Sequence, residues 1–394
     1  MAFDISIESI VIWIVMLLVI SLIFSYFTPQ MLALQSRMVV GQVRKSVRQL
    51  EAWAKEGRKV ALGAITKHGR PKRDVVRELD NFLEFFMIEP VHEDPVGVIN
   101  RLDHVLDVRN KRFEGVVAKM APKADSESAA NIEMAIEGAM ASFWIFRVVR
   151  HLMLLAEKTK SYQITMILQM QMPILKEYAK AFLDATKTFA AGKPIGDGLG
   201  AMVATKLIGN APCKEPIEDT VYAETKFDGR KLLVVKAKGP GGRVGKPGEL
   251  IKYLVKRQKV NRIIMIDAAL KLEGEPSGQV IEGVGAAIGG PPTEKYKIEE
   301  VTVKGKIPVD AIVIKESFKE ALAQLNRRLA KAADATVERV KQAIRERTKP
   351  GDVVIVAGIG NTIGIGQKEK ELPKEFPVPK EEKEGIESDK LLFR

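Results

Sequence analysis

KLLVVKAKGPGGRVGKPG, residues 231–248, is the stretch that decides the fold. An apolar run of strand length passes through a glycine-rich loop into residues 248–257, where the apolar positions recur at helical spacing. Strand, loop and helix in that order are the repeating unit of an α/β domain. Upstream, residues 221–227 alternate, and Asp228-Gly229 is a hairpin signal that pairs them antiparallel with residues 231–237. Downstream, the spacing predicts a buried strand over 262–266 that ends at Asp267, then strands over 297–303 and 311–314. A long helix follows with Phe318, Leu322, Leu325, Leu329, Val337, Val340 and Ile344 inward, and a last strand runs over 353–357. Residues 213–366 are therefore expected to form a C-terminal α/β domain with a mainly parallel sheet.

Three features fall at the carboxyl ends of these strands, where open α/β sheets place ligands. The first is the loop 239–248, in which Gly241, Gly242 and Gly245 let backbone amides approach an anion while Arg243 and Lys246 supply charge. It is not a Walker loop, because Pro247 stands where Ser or Thr would hold magnesium. The second is Asp267, the candidate catalytic or magnesium-binding carboxylate. The third is GIGNTIGIG, residues 358–366, where Gly358 and Gly360 suit close backbone approach and Asn361 and Thr362 are the polar handles. A third glycine run, residues 283–290, suits close packing or a bulge.

The chemistry is bounded by what is missing. Of the four histidines, His68, His92, His104 and His151, none lies in the α/β domain, and Cys213 is the one cysteine of the chain. Histidine-based triads and histidine–zinc sites are excluded there, as is an intrachain disulfide. Carboxylates, lysine or magnesium held through oxygen remain.

Outside this domain the pattern is helical. With 394 residues, 46% hydrophobic and 28% charged, the chain has material for two or three units. Residues 10–27, IVIWIVMLLVISLIFSYF, lie in a run with no charge between Glu8 and Arg37, long enough to cross a bilayer. Acidic Asp4 and Glu8 before it are unlike a signal peptide. Residues 1–30 are thus expected to be a transmembrane anchor, residues 31–212 an all-α domain, and residues 367–394 a charged, disordered tail. From Arg37 to Asp74 eleven Lys and Arg stand against three acids, which places most of the +12 charge beside the membrane. The positive-inside rule then puts the N-terminus outside and the body in the cytoplasm of a single-pass protein at the cell membrane. Anionic lipid headgroups are the expected partner between Arg37 and Arg73. Nucleic acid is not favoured, since aromatics do not interleave with the basic residues. Residues 141–156 contain Arg147, Arg150 and His151, so a core helix is expected there rather than a second span. Val40, Val43, Val47, Leu50 and Ala54 at 3 and 4 spacing suit a packed helix or a coiled coil between copies of the chain, that is, a homo-oligomer.

The motifs GPGGRVGKPGE, IDAALKLEGEPSGQVIEGVGAAIGG and IVAGIGNTIGIG resemble those of an archaeal family of membrane-anchored proteins, domain of unknown function 1512, across nearly the whole chain after the anchor. That resemblance implies an origin and no activity. The pairing of a strand and Gly358-Ile-Gly-Asn361 with Ile266-Asp267-Ala268 is also similar to hydrogenase-maturation peptidases. This chain departs from them by having no acid over 362–366, a reversed motif order and no metal-binding histidine. From the residues themselves, the expected function is a membrane-tethered cytoplasmic protein that binds an anionic small molecule or nucleotide in a regulatory role. A magnesium-dependent nucleotide or phosphate hydrolase and a scaffold without a small-molecule site are the alternatives.

Overall fold

One helix, α1 (Ile7–Ala64), carries both the apolar run and the basic segment without a break. The computed structural model describes residues 7–90, 97–290 and 292–379, and the side chains of residues 7–15, 18 and 22–38 lie outside that description. Trp13 and Tyr26, expected at the membrane interface, fall there, as does the end of the tail, residues 380–394.

Four more helices complete the helical region: α2 (Val76–Leu83), α3 (Val98–Met120), α4 (Ser126–Thr159) and α5 (Tyr162–Ala190). Asp125 and Ser161 cap α4 and α5 by accepting the amides of Ser128 and Ile164. The seam of α1 is filled from within the chain: Val43, Val47 and Leu50 are buried against Val149, Met153, Leu168 and Met172 of α4 and α5. That packing supplies the partner that a coiled coil would otherwise need from a second copy. Among the described residues α4 is long and apolar enough to cross a membrane, by length and composition alone. Val149, Met153 and Ala156 are buried within the helical region, whereas Trp144, Val148 and Leu154 are exposed.

The α/β domain is a seven-stranded mixed sheet between two helical layers. Its strands are β1 (Cys213–Ile217), β2 (Thr220–Phe227), β3 (Arg230–Ala237), β4 (Arg262–Leu270), β5 (Val280–Val284), β6 (Val309–Glu316) and β7 (Val353–Gly358), in the order β1-β2-β3-β7-β4-β6-β5. The inner four are parallel, while β1, β2 and β5 pair antiparallel at the edges. Two helices, α7 (Pro247–Arg257) and α8 (Pro292–Gly305), bury Leu250, Ile251, Leu254, Ile298 and Val301 against one face. On the other lie α6 (Leu199–Ile208) and α10 (Arg327–Arg347), burying Met202, Leu329 and Val340, with the short α9 (Phe318–Leu322) before α10.

Two elements differ from the sequence expectation. Residues 297–303 belong to helix α8 rather than to a strand: Ile298 and Val301, three apart, face the sheet, and Val303 is 77% exposed. Their β-branched composition suggests a strand, but the spacing that is buried is helical. The expected long helix is broken at 323–326, where the Leu325 amide donates to Pro194 O and Asn326 caps α10. The chain does not leave the body at residue 367 either, since Leu372 and Phe376 pack against the core beside α10.

Close backbone approach locks α6 to the sheet. A Cβ at Gly200 would lie 2.2 Å from Ile359 O and 2.5 Å from Ile266 O, and one at Gly358 would lie 2.1 Å from Gly200 O. Gly200→Ala should therefore destabilise the protein by about 3 kcal/mol, the scale of a severe overpacking error. Denaturant unfolding measures this directly, and an unchanged midpoint would disprove the close approach.

Candidate active site

The carboxyl edge of the parallel sheet gathers acids from three separate segments. Asp267 lies one residue past the last β4–β7 pair, Ile266↔Gly358. Its Oδ1 accepts the Ala268 amide and its Oδ2 the Gly289 amide, each at 2.8 Å, and only 7% of the residue is exposed. Glu316 ends β6 and is 1% exposed, with neither carboxyl oxygen bonded to a partner among the described residues. Asp197 sits in the 3₁₀ turn Gly196–Gly198, which leads from the helical region into α6, and its Oδ2 accepts the Asn361 amide at 3.0 Å.

These three acids interact. Burial, and then the nearby Asp197 charge, push the Asp267 carboxyl up to about 7. Burial pushes Asp197 up as well. Glu316 is raised well above the carboxylate range, first by burial and then by Asp197, Glu320 and Asp267. Like charges crowded away from water cannot all ionise, so such a cluster holds protons near neutral pH. Among the described residues no three His, Cys, Asp or Glu side chains are placed to hold a metal ion.

The glycines of the turn are what admit it. A Cβ at Gly196 would meet Glu316 Oε2 at 2.3 Å, one at Gly198 would meet Asn361 O at 2.8 Å, and one at Gly360, with φ +124°, would meet Asp197 O at 1.9 Å. Asp197 and Glu316 were not among the sequence candidates. The signal that could have found Asp197 is Gly196-Asp-Gly-Leu-Gly200, an acid flanked by glycines at alternate positions.

The two expected glycine loops do come together. The Thr362 hydroxyl lies 2.9–3.1 Å from the carbonyls of Lys238, Gly241 and Arg243, and the Thr362 amide donates to Arg243 O at 3.0 Å. Asn361 accepts the Ile363 amide and directs its Nδ2 to Met134 Sδ of α4. The cationic groups of the first loop, however, are committed within the protein. Arg243 pairs with Asp219 at 2.8 Å and donates to Ser126, while Lys246 pairs with Asp107 of α3 at 2.9 Å. Gly242 donates its amide to Asn131, also on α4. The N-terminus of α7, which could hold an anion, already holds one: Glu294 Oε2 accepts the Gly248 amide at 2.7 Å and the Glu249 amide at 3.3 Å. Lys297 neutralises Glu294 at 2.9 Å.

A cleft of about 620 Å³ opens between α3, α4 and this loop. Its lining includes Glu114, Glu133 and Glu137 beside Arg243 and Lys246. Burial, then Glu137 and Glu114, push Glu133 up to about 8.

The molecule thus belongs to the α/β proteins whose sheet edge carries a buried carboxylate site. Within that class the chain is a member of a defined family: residues 195–366 match Domain of unknown function (DUF1512) C-terminal, and residues 11–192 match Protein of unknown function (DUF1512) N-terminal domain. No curated protein and no solved structure matches it.

The raised acids make stability depend on pH in a defined direction. Folded Asp267 keeps its proton up to about 7, whereas the unfolded chain releases it near 3.8. The stability that this proton supplies is complete below the lower value and is lost as pH rises through the upper one. Asp267→Asn should flatten the fall in unfolding free energy between about pH 4 and pH 7, and Glu316→Gln should flatten it too. Parallel curves for wild type and both variants, measured by denaturant unfolding across pH, would contradict the shared burial of these carboxyls.

Proposed function

We propose that this chain is a membrane-tethered hydrolase that works through carboxylates, with Asp267 as the proton-transfer residue and Asp197 and Glu316 as its partners. The unpartnered, buried carboxyl of Glu316 beside Asp267 and Asp197 is the observation that carries the proposal, since burying such a group without a partner is costly for folding alone. Two or more acids sharing protons can divide the work of hydrolysis. An ionised one accepts a proton from the attacking water, and a protonated one donates to the oxygen of the bond under attack.

The same charges select the substrate. A phosphate ester would meet three acids, which repel it once they ionise, while a neutral peptide bond meets no repulsion. Similarity to hydrogenase-maturation peptidases points the same way, and the acid lacking over 362–366 has a counterpart in Asp197, held against the Asn361 amide. Tethering is supported by the uncharged run in α1, where Met16, Leu17, Val19 and Ile20 are exposed. Because α1 is continuous, residue 64 stands roughly 40 Å beyond residue 37 along its axis. In an upright helix the lipid contact expected between Arg37 and Arg73 narrows to its first part.

The cleft beside α3 and α4 supports a second reading, a regulatory protein that binds a metabolite-sized ligand. Its volume and its position between two domains suit a small molecule. A phosphorylated metabolite that raises the melting temperature, with the rise lost in Lys246→Ala, would favour this reading.

Hydrolysis is tested with the full chain in lipid discs and an unfolded protein as substrate. Wild type should cleave it, with a rate that rises as pH passes about 7 and Asp267 becomes the base. Asp267→Asn should lose about a hundredfold or more. Intact substrate after incubation with folded wild type would end the proposal.

A further inference from the structure

The α4–α5 hairpin runs back along α1 toward the apolar run. It starts beside the far end of α1, where Ser128 Oγ lies 3.4 Å from His68 Nδ1, and reaches Arg44, whose guanidinium donates to Glu157 at 2.8 Å. Gln169 of α5 donates to Gln42 at 3.0 Å. Three residues past Glu157, Lys160 turns the chain at φ 52°. Antiparallel geometry sets that turn level with about residue 41 of α1 by the Arg44–Glu157 pair and about residue 33 by the Gln42–Gln169 pair, so it falls within roughly 8 Å along the helix of Ser36, where the uncharged run ends. The headgroup layer on each side of a bilayer is about 5–8 Å deep. The turn and the membrane surface are therefore at matching height.

The surface presented there has the composition of a lipid-binding face. Residues 37–50 and 151–170 contain six Lys and Arg against one acid, Glu157. Arg44 neutralises that acid. Lys45, Arg48, Lys158 and Lys160 are exposed and form no ion pair among the described residues. On the two helices that flank the turn, Leu154 is 46% exposed and Ile167 60%. Exposed cations with apolar side chains beside them suit a surface that meets headgroups and the upper acyl region together.

We propose that this hairpin end is a second membrane contact, in which Lys158 and Lys160 join Lys45 and Arg48 of α1 on anionic phospholipid headgroups while Leu154 and Ile167 enter the interface. The proposal rests on the tethering of α1 proposed above. A single helix leaves the body free to rotate and tilt about its anchor. A second contact offset from the helix axis fixes the orientation, and with it the height of the sheet above the bilayer.

The test uses the full chain in discs of phosphatidylglycerol mixed with phosphatidylcholine and in discs of phosphatidylcholine alone. Retention in discs is measured first; a chain recovered free of both disc types would overturn the tethering and this contact with it. With the chain retained, amide hydrogen exchange over residues 157–165 should slow about fivefold or more on the anionic discs. K158E/K160E should abolish the slowing while its thermal unfolding stays at the wild-type temperature. Equal exchange on both disc types, or slowing that survives in K158E/K160E, would overturn the contact and leave the tether standing.

Discussion

Backbone-to-backbone contact between the Gly196–Gly200 segment and the carboxyl edge of the sheet is the constraint on which the rest depends. Gly200 touches the carbonyls of Ile266 and Ile359, Gly358 meets Gly200 O, and Gly360 meets Asp197 O. Any side chain at these positions would push α6 off the sheet or the turn out of the edge. The contact does two things at once. It docks α6, with Leu199, Met202 and Val203, into the core of one face. It also carries Asp197 next to Asn361, on a loop far away in sequence.

Electrostatics divides the domain into a settled half and an unsettled one. Around the first glycine loop the basic groups are paired: Arg243 with Asp219, Lys246 with Asp107, Lys297 with Glu294, Glu249 and Asp103. Those pairs join the loop and α8 to α3, so the basic residues hold two domains together. At the sheet edge Asp267 and Asp197 accept backbone amides, and Glu316 has no partner among the described residues. Buried groups without partners are rare because they cost folding free energy, and function is the usual reason for keeping them.

The helical region is continuous with both halves. Its helix α1 includes the apolar run, α5 leads into the Asp197 turn, and Met134 of α4 receives Asn361.

The residues alone determined what local pattern can determine. Alternation and the Asp228-Gly229 turn marked the β2–β3 hairpin and apolar runs marked β4 and β7, although β4 does not end at Asp267 as expected but runs on to Leu270, paired with β6. The absence of histidine from the α/β domain also needed no coordinates. Pattern failed where neighbours decide the outcome. Residues 297–303 of helix α8 have the composition of a strand, and edge strands β1 and β5, of five residues each, are too short to stand out. The pairing of Arg243 with Asp219 and of Lys246 with Asp107 was hidden for the same reason, since a basic residue in a glycine loop shows its charge in sequence but not the carboxylate beside it. That Asp197 and Glu316 meet was invisible, because proximity across more than a hundred residues is a property of the folded chain. Local hydrophobic order is written along the backbone, whereas the burial and pairing that set a carboxyl's protonation exist only once distant segments share one volume.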